Sequence, residues 1–480
     1  MSATFDQDAS ASGVSRPPRD LRWAFRQALF WAVMFGAGES SFSLLAAFLH
    51  APEVYFGLLA GIPQLLGPLA QVGAANLTDY LGKRKLLVQI AVAVQILSFA
   101  PLVVLVFAEP SPAAHAFFLF CVTLYFIAGH FSHPPWTGII GDLAPSEHRA
   151  RFFARLSRWV GGVSLVAQLG MGVALYLGRE HGGLKWIFAA GMALSGIVRI
   201  GSFVCIQRIQ EPPHSASRDT VFSFWQFIRR APESNFVKFV IFVALVHFGA
   251  QISGPFFLPY WIYTLGFPEW QWVLLNGITA VSAVLTLLAW GRFSHRFGNK
   301  NTIHYCSYGI ALIPLGWLFT SNIWFLALIN AWSGVLWAGF GLSTWNYMLE
   351  AVSAPKRPRC AAYFNIVVGV GIFAGSMAGS WLGKVLPLTL DFGGGSVTVK
   401  TTFMYLLGLS FLMRLAACLM LPTFKELRSN VEGFSLRRNF YTIASGRVPF
   451  GLRFVVGATD EHEPPQKRTA GAESEKPPHE

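Results

Sequence analysis

Charged residues are scarce in this sequence. Asp, Glu, Lys and Arg make up 13% of its 480 residues, whereas soluble chains carry about 25%. Hydrophobic residues make up 53%, and the mean hydropathy is +0.47. Too few charges remain to cover a surface that faces water, which excludes a large soluble α/β enzyme.

The sequence also lacks the residue patterns of disulfides, metal sites, phosphate-binding loops and catalytic clusters. The five cysteines have no paired spacing, so they predict neither a disulfide nor a metal site. The sequence has no Gly-x-x-x-x-Gly-Lys-Ser/Thr phosphate loop and no clustered nucleophile and base. We therefore expect no enzyme activity, no cofactor and no metal. Residues 1–20 lack the apolar core of a signal peptide, so we expect the first apolar run to be retained.

Long apolar runs dominate the sequence instead. Each of twelve runs of roughly 20 residues is long enough to cross a hydrocarbon core of about 30 Å as a helix. The runs lie near residues 22–48, 54–75, 86–106, 113–140, 155–176, 184–206, 235–260, 271–290, 302–319, 323–349, 361–383 and 402–421. The 43 Phe and 16 Trp suit lipid-facing surfaces and interfacial belts. This pattern predicts an all-α integral membrane protein with twelve transmembrane helices.

The net charge of +13 is unevenly distributed between the loops. Thirteen Lys and Arg lie in or beside the loops after spans 2, 4, 8 and 10, whereas four lie on the other side. Basic loops of membrane proteins face the cytoplasm, so we expect both termini there, in a bacterial plasma membrane. Because these charges flank membrane spans, we expect contacts with lipid and no binding of nucleic acid.

Two basic stretches, 216 residues apart, share one pattern. AANLTDYLGKRK (74–85) and GRFSHRFGNK (291–300) each contain a small residue, a polar residue four positions later, a glycine three positions further on, and then basic residues. Three further pairs match in order at offsets of 210–215, namely FGAGES (35–40) with FGAQIS (248–253), PSEHRAR (145–151) with PKRPRCA (355–361), and Ser195 and Arg199 with Ser410 and Arg414. The sequence therefore predicts two repeated halves.

The doubled basic loop resembles the loop between helices 2 and 3 of the major facilitator superfamily, with its echo between helices 8 and 9. The resemblance implies two parallel six-helix bundles related by an axis along the membrane normal. We expect the N-terminal bundle at residues 21–206 and the C-terminal bundle at 235–421. Cytoplasmic segments are expected at 1–20, 207–234 and 422–480. Part of 207–234 is expected to be either an amphipathic helix or a solvated linker, and the end of 422–480 is expected to be disordered.

The resemblance also implies a cytoplasmic gate at the doubled loop. In this family the acid of the first copy docks at the start of helix 11 when the inner side is closed, and Asp79 holds that position. Helix N-termini have free N–H groups and a positive dipole end, which suit a carboxylate. The second copy has His295 where an acid is usual, so this residue is either a pH-sensitive latch or a solvated loop residue. The expected gate residues are Asp79, Gly82, Lys83, Arg84, Arg149, Gly291, His295, Arg296, Gly298, Glu350 and Arg359.

Polar residues within spans are costly and usually functional. Glu39 is the outstanding case, because it lies mid-span after Gly36 and Gly38. The resemblance implies that helices 1, 4, 7 and 10 line a central cavity. There Glu39 could carry a coupling proton or pair with a cationic substrate, and a purely structural acid is the alternative. The residues expected at the proton and substrate cavity are Glu39, His130, His133, His247, Gln251, Asn330 and Trp332.

Two arginines and a row of glycines have structural interpretations. Arg199 and Arg414 each lie within about eight residues of an inner helix end, so we expect their long side chains to extend to the interface. Gly371, Gly375 and Gly379 are four residues apart and predict close packing of helix 11 against a neighbouring helix.

The sequence thus predicts a secondary active transporter that moves a small organic solute by alternating access. We expect it to be coupled to protons and to work as a monomer. One alternative is an uncoupled facilitator or exporter of amphipathic compounds, in which Glu39 binds a cationic substrate. A second alternative is a transporter-shaped sensor or partner protein that moves no solute.

Overall fold

The structure is a computed structural model that describes residues 19–143, 149–212, 229, 234–353, 357–391, 396–399 and 401–427. The expected N-terminal tail up to residue 18, the amphipathic part of the linker and the tail from residue 428 lie outside the described residues. All twelve predicted spans fall within the described ranges.

Helices make up the architecture of the described chain. The twelve segments are α1 (Arg19–Phe48), α2 (Glu53–Leu81), α3 (Arg84–Leu105), α4 (Pro112–Leu143), α5 (Arg149–Glu180), α6 (Leu184–Gln207), α7 (Asn235–Thr264), α8 (Glu269–Phe297), α9 (Asn299–Phe319), α10 (Ile323–Ala351), α11 (Arg357–Val385) and α12 (Phe403–Cys418). The predicted all-α fold class is confirmed. Between α11 and α12 lies a short antiparallel hairpin of β1 (Thr389–Asp391) and β2 (Ser396–Thr398). The sequence does not predict this hairpin, because three-residue strands are too short to show an alternating pattern.

Eleven of the twelve segments are long and apolar enough to qualify as candidate membrane spans. The twelfth is α9, whose 21 residues extend over about 31 Å at 1.5 Å per residue. Its first half contains His304, Tyr305, Ser307 and Tyr308, which lower its mean hydropathy. The helix packs against α10 and α12, so α9 is a full member of the C-terminal bundle.

Helix ends follow local side-chain and backbone chemistry. The Ser234 hydroxyl accepts a hydrogen bond from the Val237 N–H at the start of α7, and Asn322 Oδ1 accepts one from the Trp324 N–H at the start of α10. These side chains satisfy N–H groups that have no partner within the helix. Gly82 ends α2 in the left-handed conformation at φ 64°, which glycine adopts without steric cost.

The helices α1 and α7 are interrupted at matching places. A 3₁₀ turn (Glu39–Ser41) follows Gly38 in α1, and another (Gly254–Phe256) lies in α7. Close packing holds α1 at this depth, since a Cβ on Gly36 would lie 2.4 Å from the Ser164 carbonyl oxygen of α5. The break therefore occurs where the helix is fixed against its neighbour, and it begins at the intramembrane glutamate.

The ends of the helices form two faces. The basic face contains Arg19, Gly82 and Gly298, and the opposite face contains His50 and Gly182. Within the N-terminal half, α1 packs on α5 and α6, and α4 packs on α2 and α3. The halves meet along α2 with α11 and along α5 with α8. Interior side chains are thus supported from several helices at once.

The predicted glycine row of α11 packs tightly against α7. A Cβ added at Gly371, Gly375 or Gly379 would lie only 2.2–2.5 Å from a backbone carbonyl oxygen of α7. Real Cβ atoms do not approach so closely, so glycine is required at all three positions. Small residues that let helix backbones meet are typical of membrane helix interfaces.

Replacing Gly375 by leucine is expected to destabilise the bundle, because the side chain would press on the Phe248 carbonyl of α7. Overpacking of this kind costs about 1–3 kcal/mol. The measurement is the Tm of the purified protein in detergent, which should fall for Gly375→Leu. Gly408→Leu is the matched control, since a Cβ there meets no atom within 4 Å. Equal Tm values for the two variants would contradict the close contact.

Candidate functional site

The start of α3 is held by several contacts at the basic face. Arg84 is 3% exposed, and its Nη1 donates to Asp142 Oδ2 at 2.7 Å. Its backbone N–H donates to Glu211 Oε1 at 2.7 Å, and its Nη2 donates to the Pro212 carbonyl at 3.0 Å. A carboxylate at this position satisfies a free N–H group and faces the positive end of the helix dipole. The residues after α6 are thereby attached to the loop between α2 and α3.

The C-terminal half repeats this arrangement at the start of α9. The Lys300 backbone N–H donates to Glu426 Oε2 at 2.8 Å, and Asn299 Nδ2 donates to Glu350 Oε2 at 3.0 Å. The two capping acids, Glu211 and Glu426, are 215 residues apart, an offset shared with other repeat pairs. Sequence reasoning missed both caps, although extending the repeat alignment beyond α6 and α12 would have found them.

The predicted gate glycines lie in or beside the two basic loops. Gly82 and Gly298 both have positive φ, at 64° and 91°, where the chain passes from one helix to the next. Other residues rarely adopt such angles, which accounts for glycine at the same place in both copies. Gly291 lies within α8, about one helical turn and a half before this helix ends.

The charged gate candidates lie at or near the same face. The exposed ones are Asp79, Lys83 and His295. The Arg296 guanidinium lies 5.3 Å from the centroid of the Phe297 ring. The side chains of Arg149 and Arg359 lie outside the described residues. Docking of Asp79 at the start of α11 remains a prediction; nearer mid-depth, Asn365 Nδ2 of α11 donates to Gln71 Oε1 of α2 at 3.2 Å.

A cavity of about 390 Å³ lies within the N-terminal half. Side chains of α1, α2, α3, α4 and α6 form its wall. Its ionisable residues are Glu39, Tyr125, His130, His133 and Arg199. Its other large aromatic residues, besides Tyr125, are Trp31, Phe126 and Trp136. The structure therefore brings three of the predicted cavity residues, the glutamate and both histidines of α4, to one space.

Glu39 is held in place by Tyr125. The Tyr125 hydroxyl donates to Glu39 Oε2 at 2.6 Å. Tyr125 is 1% exposed, and the rings of Phe42 and Phe99 pack against it with centroids 5.2 and 5.4 Å away. Hydrogen bonds to a carboxylate are among the stronger ones in proteins. The tyrosine thus fixes the orientation of the carboxyl group at the cavity wall.

Arg199 lines the same cavity, and the expectation that it extends to the interface is wrong. Its side chain is 3% exposed. The Nε and Nη2 groups donate to Gln95 Oε1, and Nη1 donates to Ser202 Oγ at 3.0 Å. Gln95 in turn donates to the Tyr125 carbonyl at 3.2 Å. Because Gln95 offers a buried acceptor, the guanidinium finds partners within the bundle and need not reach water.

Arg414, the repeat partner of Arg199, is also buried, and the same correction applies to it. It is 4% exposed, and its Nη1 and Nη2 donate to the carbonyls of Ile310 and Ala250 at 2.9 and 3.4 Å. In the repeat alignment, Ile252 stands where α1 has its glutamate. The arginine is thus present in both halves, whereas the acid is present in one.

His130 and His133 face the cavity from α4. His130 packs against α2 at Gly67, where a Cβ would lie 2.3 Å from the imidazole ring. His133 Nδ1 lies 3.5 Å from Gln71 Nε2, and Gln71 also bonds Asn365 of the C-terminal half. A chain of polar side chains therefore extends from the cavity wall to the other half of the protein.

A second cavity, of about 130 Å³, lies toward the opposite face. Phe56, Val122 and Pro255 contribute to its wall, so it lies between the N-terminal half and α7. Glu39 and Phe126 line both cavities. The carboxyl group is therefore placed between a space on the basic side and a space on the opposite side.

The predicted cavity residues of the C-terminal half lie elsewhere. His247 packs near aromatic rings of α10, and Asn330 Oδ1 accepts a hydrogen bond from Thr279 of α8. Gln251 is half-buried and Trp332 is 52% exposed. Among the described residues, the lining of the larger cavity includes none from α7 or α10.

Contacts between the halves close the opposite face. Arg179 Nη1 of α5 donates to Glu269 Oε2 of α8 at 2.6 Å, with side-chain exposures of 48% and 10%. The Tyr263 hydroxyl of α7 lies 3.3 Å from the carbonyl oxygens of both Ala47 and Ala51. The cavities are therefore covered on this side by side chains from both halves.

Comparison with solved structures finds transporters of the same overall fold. The nucleoside transporter NupG is 17% identical with a TM-score of 0.59, covering 84% of this chain and 98% of that one. An auto-inhibited POT family peptide transporter is 12% identical with a TM-score of 0.63, covering 87% and 99%. A bacterial homologue of the iron transporter ferroportin is 15% identical with a TM-score of 0.56, covering 83% and 98%. At these identities the likeness establishes the fold alone.

Comparison of the sequence with a family model assigns the chain more specifically than the solved structures do. Comparison with curated proteins finds no match. The sequence model of the Major Facilitator Superfamily matches residues 28–376, which is more than two thirds of the chain and spans both halves. The chain therefore belongs to the major facilitator superfamily.

Proposed function

We propose that this membrane transporter moves a small organic solute together with protons, and that Glu39 carries the proton. The observation that supports the proposal is the position of Glu39 in the walls of both cavities. In the described lining of the smaller cavity it is the only ionisable residue. A proton carrier must accept its proton from one side and release it to the other, which this position allows.

The surroundings of Glu39 suit reversible protonation. The Tyr125 hydroxyl is a donor at 2.6 Å and stabilises the ionised carboxylate. The apolar rings of Phe42 and Phe126 lie beside it in the cavity walls and disfavour the charge. The hydrogen bond favours the ionised form of Glu39 and the apolar rings favour the protonated form. A change in solute occupancy or water access can therefore shift the balance between the two forms. Ionisable residues inside spans commonly serve proton transfer for this reason.

Alternating access is proposed to arise from rocking of residues 21–206 against residues 235–421. The opposite face is closed by the contact between Arg179 and Glu269 and by Tyr263. Access from that face requires these contacts to separate, while contacts nearer the basic face form. Repeated bundles that move about a site near the membrane midplane are the structural basis of such transport.

The orientation and assembly of the transporter follow from its charge distribution. We place the basic face and both termini in the cytoplasm, because loop lysines and arginines concentrate there. The membrane is proposed to be a bacterial plasma membrane and the working unit a monomer. Basic residues of the loop after α2 would then contact anionic headgroups.

A second function is favoured by the aromatic wall. Trp31, Phe126 and Trp136 together with Glu39 could bind an amphipathic cation, since aromatic faces and a carboxylate both attract positive charge. In that case the protein would be an uncoupled facilitator or exporter. A partner protein that moves no solute would retain neither proton movement nor solute flux.

Glu39→Gln is expected to abolish solute-dependent proton movement, because an amide of nearly the same shape is neither protonated nor deprotonated near neutral pH. The measurement uses proteoliposomes that contain a pH-sensitive dye and are presented with a panel of metabolites and drugs. Glu109→Gln, at an exposed loop position, is the matched control and should leave the signal intact.

The same assay separates the three functions. A solute-dependent proton signal that persists at full size in Glu39→Gln would refute the carrier role. Solute flux without any proton signal in wild type would indicate the facilitator. Absence of both flux and binding across the panel would favour a partner protein.

Arg179→Glu is expected to open the opposite face more often, because it converts the ion pair with Glu269 into a repulsive pair. Partly exposed ion pairs contribute about 0.2–1 kcal/mol, which corresponds to an increase of about 1.5- to 5-fold in the open population. The measurement is the labelling rate of Ser43→Cys, in the smaller cavity, by a thiol reagent that does not cross membranes. The native cysteines are all buried and supply a low background.

The charge-swapped double variant is the control for this measurement. Arg179→Glu combined with Glu269→Arg restores opposite charges across the interface and should return labelling toward the rate of the parent. If the single and double variants label equally fast, the ion pair does not hold this face closed.

A further inference from the structure

Two buried arginines have no carboxylate in contact among the described residues. Arg199 and Arg414 are at most 4% exposed, and no described carboxylate lies within 4 Å of either guanidinium. Glu39 is the acid close enough to interact electrostatically with Arg199. Within the larger cavity, Arg199 and Glu39 sum to zero when the glutamate is ionised and to one positive charge when it is protonated, whereas Arg414 lies in the other half. Buried charges without compensation are unfavourable, so an anion is attracted to the cavity when Glu39 is protonated.

Arg199 has unused hydrogen-bonding capacity at the cavity. A guanidinium has five N–H groups, and its described contacts with Gln95 and Ser202 occupy three of its nitrogen atoms once each. One N–H remains on each terminal nitrogen. A guanidinium with a remaining N–H on both terminal nitrogens can bind a carboxylate through two hydrogen bonds. Because Arg199 lines the cavity, a ligand there can reach this residue.

The rest of the cavity wall suits an apolar body. Trp31, Trp136 and Phe126 supply aromatic faces, and Val88 and Val92 of α3 supply aliphatic surface. The volume of about 390 Å³ lies at the small end of the range of ligand cavities. The site therefore combines one cationic anchor with an apolar, aromatic chamber for a small molecule.

We propose that the solute is a small monoanionic organic acid with an apolar or aromatic body, whose carboxylate binds Arg199 and is carried with one proton on Glu39. The carboxylate takes over the compensating role of the Glu39 charge when the glutamate is protonated. Proton and anion therefore favour each other's binding, and together they add no net charge to the cavity. The coupling part of this inference rests on the proposed function, whereas the preference for a carboxylate rests on Arg199.

Other ionisable groups near the glutamate are accounted for. Tyr125 bonds it directly, and His130 and His133 line the same cavity from α4. From α5, the residues packed against the break in α1 at Gly36 are uncharged, namely Ser164, Ala167 and Gln168. A pH dependence that disappears in Glu39→Gln thus belongs to the glutamate, and one that persists belongs to the histidines.

Ligand-dependent stabilisation of the purified protein tests the inference with matched probes. Tm is measured in detergent at pH 5.5 and pH 7.5 against 3-phenylpropanoate, 3-phenylpropanamide, 3-phenylpropylamine and phenylalanine. These probes share one body and carry an anion, a neutral amide, a cation and a zwitterion. Acetate and benzoate extend the carboxylates to smaller bodies, and sodium chloride at equal ionic strength is the blank. Ligands that bind the folded state raise Tm by an amount that grows with the logarithm of their concentration relative to Kd.

The carboxylates are expected to bind about 10- to 100-fold more tightly than the amide and amine, the range expected for a hydrogen-bonded charge. Their affinity should increase at the lower pH in wild type and be nearly independent of pH in Glu39→Gln. Arg199→Gln should lose the preference for carboxylates, and Arg199→Lys should retain part of it. Arg22→Gln, an exposed arginine on α1, is the control and should behave like wild type.

Each remaining outcome contradicts part of the inference. Tighter binding of the amine, the amide or phenylalanine, or no stabilisation by any carboxylate, overturns the assignment of an organic acid. If those ligands still move protons through Glu39, the proposed function survives that failure. Preference for carboxylates that requires Arg199 but shows no pH dependence supports the solute class and refutes the coupling. Unchanged preference in a folded Arg199→Gln variant refutes the anchor.

Discussion

The hydrogen bond from Tyr125 to Glu39 is the contact on which the interior of the N-terminal half depends. A carboxylate inside a membrane span is tolerated only where neighbouring groups satisfy it. Tyr125 does so through its hydroxyl, and its backbone carbonyl accepts from Gln95, which in turn holds Arg199. One tyrosine thus connects a carboxyl group and a guanidinium that do not touch. The break in α1 completes the arrangement by turning the acid toward the space between helices.

Much of this architecture could be predicted from sequence, because it depends on composition and period. Apolar runs predict the helices, the doubled loop predicts the repeat, and the resemblance to the major facilitator superfamily implies a central cavity. The roles of Gln95 and Tyr125 could not be predicted, since glutamine and tyrosine are ordinary in membrane helices and acquire a role from their partners in space. The error over Arg199 has the same origin: distance along a helix to its end does not reveal a buried acceptor on another helix.

The two halves share a framework and differ in chemistry. Both retain the interrupted first helix, the buried arginine of the last helix and a carboxylate at the start of the third. The intramembrane acid and the histidine pair occur in one half, where the larger cavity lies. His247 and Asn330 instead support packing among α7, α8 and α10. Departures between the repeats therefore identify candidates for function, here the glutamate of α1 and the two histidines of α4.

Glu211 and Glu426 attach the residues that follow the sixth helix of each bundle to the start of its third helix. In the first bundle, Lys85 Nζ makes a second attachment by donating hydrogen bonds to the carbonyls of Gln207 and Ile209. The chain that continues from each bundle thus departs from an anchored point. We therefore expect a change in that continuation to act first on the anchor, before it reaches the sixth helix and the interior of the bundle.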